Sequence, residues 1–207
     1  MPIITTFKPQ RNNKRVNIYI DGKFSFGLDL ENFVKLQLKI NQELNNIEIE
    51  EIVKKAEFQK TFDKLLRFVM VRPKSEKEVK DYLKRKKVHE SMFKELFNRL
   101  NRLDLIDDIK FSKWWIDQRL AFKNKSKKDL KFELKAKGIK NEIIENILEE
   151  SEIDEVRIAK KLIEKKEYRW DKYEEKIKKQ KIIQYLSGKG FGWDVISKIV
   201  GTIANDE

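Results

Sequence analysis

The sequence predicts a mainly α protein: tandem three-helix repeats in an elongated, curved array, with a small N-terminal β-hairpin and helix extension. Three observations carry that prediction. Helix start signals recur along the chain, apolar residues follow them at helical spacing, and one pattern of six apolar positions returns twice. Val79, Leu83, Val88, Met92, Phe93 and Leu96 come back 51 residues later as Leu130, Leu134, Ile139, Ile143, Ile144 and Ile147. They return 52 residues beyond that as Ile182, Leu186, Phe191, Val195, Ile196 and Ile199. The joining segment reads LKRKKV, then LKAKGI, then LSGKGF. Such repeats bury their apolar faces against neighbours and present extended surfaces rather than one deep pocket.

Residues 1–14 read as a basic, extended lead. Val16, Ile18 and Ile20 alternate before Asp21-Gly22, and Phe24, Phe26 and Leu28 alternate after it, the pattern of a β-hairpin. A two-residue turn in a regular ladder would put the two apolar rows on opposite faces, so an odd loop, Asp21 to Lys23, is expected. Asp29 caps a helix over Leu30 to Leu38, and Asn41 to Asn46 reads as a polar loop. Ile49 to Met70 is helical, with any break falling near Phe58 to Thr61. The predicted domains are an extension over 1–58, then repeats at 59–108, 109–153 and 154–207.

The first repeat shows its punctuation best. Ser75 and Glu78 have the spacing of a capping box, in which the Ser hydroxyl accepts a backbone N–H and the Glu side chain reaches back to the cap's own N–H. Pro73 keeps the preceding helix from running through. Val79, Tyr82 and Leu83 make one packing face while lysines cover most of the rest. Asp107 and Asp108 open the second repeat as helix caps rather than a metal pair. The third opens near Asp154 and carries a charge-rich segment, KKEYRWDKYEEKIKK, the longest departure from the repeat, where a helix burying Trp170 and Tyr173 is expected.

Composition narrows the function. Lysine and arginine number 47 against 35 acidic residues, a formal net charge of +12, which favours an anionic partner. No apolar run approaches the roughly 20 residues of a membrane-spanning helix, and MPIITTFKPQR lacks the apolar core of a signal peptide. With no cysteine there is no thiol nucleophile, disulfide or zinc finger. A cytoplasmic, monomeric protein without a cofactor is expected.

No catalytic constellation emerges. The sole histidine, His89, sits in an inter-helix turn without triad partners, and Gly188, Gly190 and Gly192 alternate in a turn that follows no strand, unlike a phosphate loop. Trp114 and Trp115 point about 100° apart on a helix, so only one fits the stripe with Phe111, and Trp115 is that one. The lysine runs at Lys84 to Lys87, Lys123 to Lys128 and Lys135 to Lys140 all lie around inter-helix turns or second helices. Stacked repeats would align them into a basic stripe suited to phosphates.

RPKSEKEVKDYLKRKKV, RLDLIDDIKFSKWWIDQRL, LKAKGI and YLSGKGFGWDVI, in that order and spacing, resemble the signatures of the RecX regulatory proteins over about residues 60 to 200. The matching positions are Arg72, Pro73, Ser75, Glu78, Leu83, Leu105, Ile106, Asp107, Asp108, Phe111, Trp115, Arg119, Gly138, Ile139, Phe191 and Asp194. Most of these are caps, turns or core, so they speak for the fold more than for a site. Asp104 stands where the family usually has Gly, and Asn124 to Lys127 replaces a Gly-rich turn. The resemblance implies a non-enzymatic protein that binds the RecA recombinase filament in its helical groove and suppresses strand exchange and ATPase, modulating homologous recombination and DNA repair. A basic helical DNA-binding protein that acts without touching RecA is the alternative. The candidate residues for contact with RecA or DNA are Arg72, Lys84, Lys86, Arg119, Lys123, Lys125, Lys127, Lys128, Lys135 and Lys137.

Overall fold

Alternating residues at the N-terminus build a sheet of three strands. A computed structural model describes residues 1–11 and 13–203 of the chain. Its strands β1 (Ile4–Pro9), β2 (Arg15–Ile20) and β3 (Lys23–Asp29) pair antiparallel in the order β1-β2-β3. The lead before β2 is therefore not free: it buries Ile4 completely and contributes an edge strand. Nor does the odd loop form. Ile20 pairs with Lys23 across a two-residue turn in which Asp21 and Gly22 take φ 49° and 78°, the signature of type I′. A bulge brings the apolar rows together instead: Tyr19 pairs with Phe24 and Ile18 with Phe26, leaving Ser25 extra. Val16, Ile18, Ile20, Phe26 and Leu28 are buried, while Phe24, on the turn side of the bulge, is exposed.

Helix α1 (Leu30–Leu36) starts where Asp29 accepts the Asn32 N–H at 2.9 Å. Helix α2 (Asn46–Met70) has a reciprocal capping box between Asn45 and Glu48 and runs unbroken through Phe58 to Thr61. Then follow α3 (Glu76–Arg85), α4 (Phe93–Arg102), α5 (Asp108–Lys123), α6 (Lys127–Ala136), α7 (Asn141–Glu150), α8 (Glu155–Glu164), α9 (Glu175–Gly188) and α10 (Trp193–Ile203). Contacts divide the chain into two compact units, Met1–Val71 with Leu83–Leu100, and Arg72–Tyr82 with the chain from Asn101 onward.

The first unit contains a core of sheet and α2 side chains, among them Ile4, Ile18, Leu28, Ile52 and Ala56. The second contains two cores of the same design. Leu130, Leu134, Ile139, Ile144 and Ile147 pack with Phe111, Trp115 and Ile116; Ile182, Leu186, Phe191, Val195, Ile196 and Ile199 pack with Ala159 and Ile163. The recurring apolar positions are thus the repeat's core, and truncating a fully buried one such as Leu134 to Ala costs about 2–5 kcal/mol. Residues 165–174 are not the expected helix. They turn through a short 3-10 segment (Glu167–Arg169), and Trp170 is buried there with its ring 5.4 Å from that of Tyr185, while Tyr173 is half-buried.

One set of hydrogen bonds occurs twice in the second unit. The Ser75 hydroxyl accepts the Glu78 N–H and donates to the Lys137 carbonyl at 2.8 Å; Ser126 accepts from Asp129 and donates to the Lys189 carbonyl at 2.8 Å. The next N–H along is taken by an acid from the following repeat: Glu76 N–H by Asp108, and Lys127 N–H by Glu155. Asp107 and Asp154 each cap their own helix. In each pair the first acid starts its own helix and the second closes the end of another. Each receiving turn needs glycine at positive φ, Gly138 at 83° and Gly190 at 80°, because a Cβ would lie 2.6 Å from Lys77 Cβ or 2.8 Å from Ser126 Oγ.

Candidate partner-binding surface around the second repeat

Helix α5 ends at Asn124, left-handed at φ 47°, and Ser126 caps α6 after a turn of three residues. That short turn forces Lys123, Lys125, Lys127 and Lys128 into one neighbourhood. Lys127 and Lys128 occupy the first turn of α6, where the helix dipole favours acids and disfavours cations by about 0.3–1 kcal/mol each. Among the described residues the ammonium groups of Lys123, Lys127, Lys128 and Lys135 have no ion-pair or hydrogen-bond partner. Charge placed against local preference and left uncompensated marks a functional surface more readily than a structural one.

The other candidates in this unit are engaged in the fold. Arg72 forms a two-pronged pair with Glu78 at 2.9 and 3.0 Å and lies 5.3 Å from the Trp114 ring. Lys137 reaches the same carboxylate at 2.7 Å and sits 4.8 Å from the Trp115 ring. Burial opposes ionisation of Glu78, but hydrogen bonds from Arg72 and Lys137 outweigh it and hold the carboxyl at about 2. Glu78 therefore does not return to the Ser75 N–H as a capping box would, because two cations outcompete one neutral donor. Burial pushes the Lys74 ammonium below its usual range, reinforced by the charge of Arg72.

Arg119 donates to Glu133 at 2.5 Å and stacks 4.1 Å from the buried Trp115, whose indole N–H donates to the same carboxylate at 2.9 Å. Lys125 joins them through Asp129 at 2.9 Å and Glu133 at 3.5 Å. Lys84 and Lys86 belong to the first unit: Lys84 lies in the last turn of α3 within 3.8 Å of Glu90, and Lys86 is exposed in the turn that follows.

Sequence reasoning passed over two aromatics. Phe122 and Phe132, at the end of α5 and within α6, are each 74% exposed. The signal is their spacing: Phe132 sits midway between the buried Leu130 and Leu134 and so cannot share their stripe. Among the described residues no group of three or more His, Asp or Glu side chains is arranged to hold a metal, and no helix is long and apolar enough to cross a membrane.

A protein-family model described as the regulatory protein RecX N-terminal domain matches residues 2–45. Models of the second and third RecX three-helix domains match residues 107–148 and 152–200. The regulatory protein RecX of Bacillus licheniformis is 38% identical over 199 residues, spanning 95% of this chain and 76% of that protein. The chain belongs to the RecX family. The RecX of Bacillus subtilis is 35% identical over 211 residues, spanning 100% and 80%. A crystal structure of a regulatory protein RecX shares the fold with a TM-score of 0.76 at 24% identity, over 98% of this chain and 100% of that one. The RecX structure from Lactobacillus salivarius matches with a TM-score of 0.64 at 28% identity, over 71% and 96%. RecX family membership makes a regulatory protein of this chain.

Proposed function

We propose that this RecX protein binds the RecA recombinase filament in its groove and inhibits strand exchange and the accompanying ATPase, thereby modulating recombination and repair. The observation that carries this reading is the set of four uncompensated lysines on the second repeat, with the exposed Phe122 adjoining Lys123 and the exposed Phe132 lying on α6 between Lys128 and Lys135. A filament groove offers both acidic protein and DNA phosphates, and uncompensated cations gain most from such a partner because they give up no internal pair on binding. Arg72, Arg119, Lys125 and Lys137 support the surface by orienting the tryptophans and turns beneath it. The protein acts without a cofactor or a catalytic step, as a monomer in the cytoplasm.

The deciding experiment adds the protein to RecA filaments on single-stranded DNA and follows ATP hydrolysis and strand exchange. Both are expected to fall with increasing protein. An unchanged ATPase at saturation overturns the reading. Inhibition that disappears whenever salt abolishes affinity for bare DNA, while filaments persist, favours the DNA-binding alternative.

A further inference from the structure

We propose that the first unit carries a binding pocket for a phosphate ester, built on Arg99. A concavity of about 310 Å³ is lined by Asn32 of α1, Lys54, Lys55, Phe58 and Gln59 of α2, and Glu95 and Arg99 of α4. Arg99 is half-buried, yet no carboxylate lies within ion-pair distance of it among the described residues. Its position is nonetheless built. The guanidinium stacks 4.1 Å from the Phe62 ring and 5.9 Å from that of Phe58, whose planes are parallel to within 4°. One Nη1–H donates to Gln59 Oε1 at 2.8 Å, and Gln59 is itself fixed by donating to Asp63 at 2.8 Å.

A guanidinium has five N–H donors in a planar fork, and this arrangement uses one of them. Aromatic stacking orients the plane without satisfying the remaining donors, and partial burial makes their desolvation costly until an acceptor arrives. Lys54 and Lys55, adjacent on α2 and exposed, add two ammonium groups with no ion-pair partner among the described residues. The lining thus holds three cations against the single carboxylate of Glu95. A planar fork flanked by point charges suits a tetrahedral oxyanion, since Arg binds two oxygens at once and Lys adds charge without directional demand. The ester is either a free nucleotide's or a nucleic-acid backbone's, and the chemistry at the pocket is the same.

The test titrates the full-length, ¹⁵N-labelled chain with inorganic phosphate, ADP and a twelve-nucleotide oligothymidine, following the Arg99 Nε–H resonance. A saturable shift of that resonance is expected. Saturation by ADP at concentrations where the oligonucleotide does nothing assigns a free nucleotide, and the reverse assigns a strand. Exchanging Lys54 and Lys55 together for Glu changes only exposed side chains, so folding is preserved, and it is expected to weaken the binding at least tenfold. Arg99→Gln, which lacks that resonance, is followed instead through the side-chain amide of Gln59 and is expected to show no saturable shift. No saturable shift with any of the three probes, or equal binding by the Lys54→Glu/Lys55→Glu protein, overturns the proposal.

Discussion

Glu78 holds two cations on one carboxylate, Arg72 through two hydrogen bonds and Lys137 through a third. Its carboxyl is held at about 2, whereas in the unfolded chain it titrates as an ordinary glutamate. The folded pKa is the lower one, so the stabilisation is fully present above the unfolded pKa and is lost as pH falls towards the folded one. Stability should drop between about pH 5 and pH 2 by at most about 3 kcal/mol from this group, less where solvent reaches Arg72 and Lys137. Glu78→Gln is expected to be less stable at neutral pH and to show a shallower acid limb, checked by urea unfolding across that window. A second contrast separates a glycine of a turn, Gly138, from one at the end of a helix, Gly188. Gly138→Ala forces a Cβ into Lys77 at positive φ and should cost roughly 2–4 kcal/mol. Gly188→Ala meets nothing within 4 Å and has no positive φ. It should change stability by less than about 1 kcal/mol, in the stabilising direction, in the same unfolding measurement.

At the scale of elements, the second helix of a repeat is started and docked by one hydroxyl. Ser126 is fully buried, caps α6 through Asp129 and donates to the Lys189 carbonyl. Ser126→Ala removes a cap worth about 1 kcal/mol and strands a carbonyl in the interior, so roughly 2–3 kcal/mol should be lost. Thermal unfolding reads this directly, and a loss below 1 kcal/mol would show that the docking bond is dispensable. The cap itself was legible, because Ser at that spacing before an apolar run has a local cause. The dock was not, since it joins residues 63 apart. Its trace in the sequence is indirect: glycine at 138 and 190 where the first repeat has Lys87, which holds φ 55° with a Cβ in place. Similar logic covers Asp104 and Asn124. Both take positive φ, and Asp and Asn are the non-glycine residues that tolerate it best. The hairpin misled because alternation reports which residues want burial but not whether a loop or a bulge reconciles the two rows. The candidate lysines were visible as runs, but which of them the fold neutralises depends on partners such as Glu133, distant in sequence from Arg119 and Trp115.

Across the whole molecule a formal charge of +12 makes binding to any polyanion steeply dependent on salt, so a test must separate the second-repeat surface from this background. Replacing Lys123, Lys127, Lys128 and Lys135 together by Glu does so. Lys125 is left alone, because a carboxylate there would face Asp129 and Glu133 and disturb the fold. Lys and Glu have similar helix propensity, and Glu at the first turn of α6 gains about 0.3–1 kcal/mol per residue from the dipole that Lys opposes. Glu in place of Lys123 and Lys135, in the last turns of α5 and α6, loses a similar amount, so the variant should be about as helical and as stable as the parent. Its inhibition of RecA should nevertheless weaken, with circular dichroism excluding unfolding as the reason. If the four lysines meet single-stranded phosphates, the slope of log affinity against log salt on bare DNA should flatten by roughly 3, at about 0.7 per contact. If they meet acidic protein, that slope stays and only filament affinity falls. Inhibition equal to the parent's would move the regulatory surface away from the second repeat.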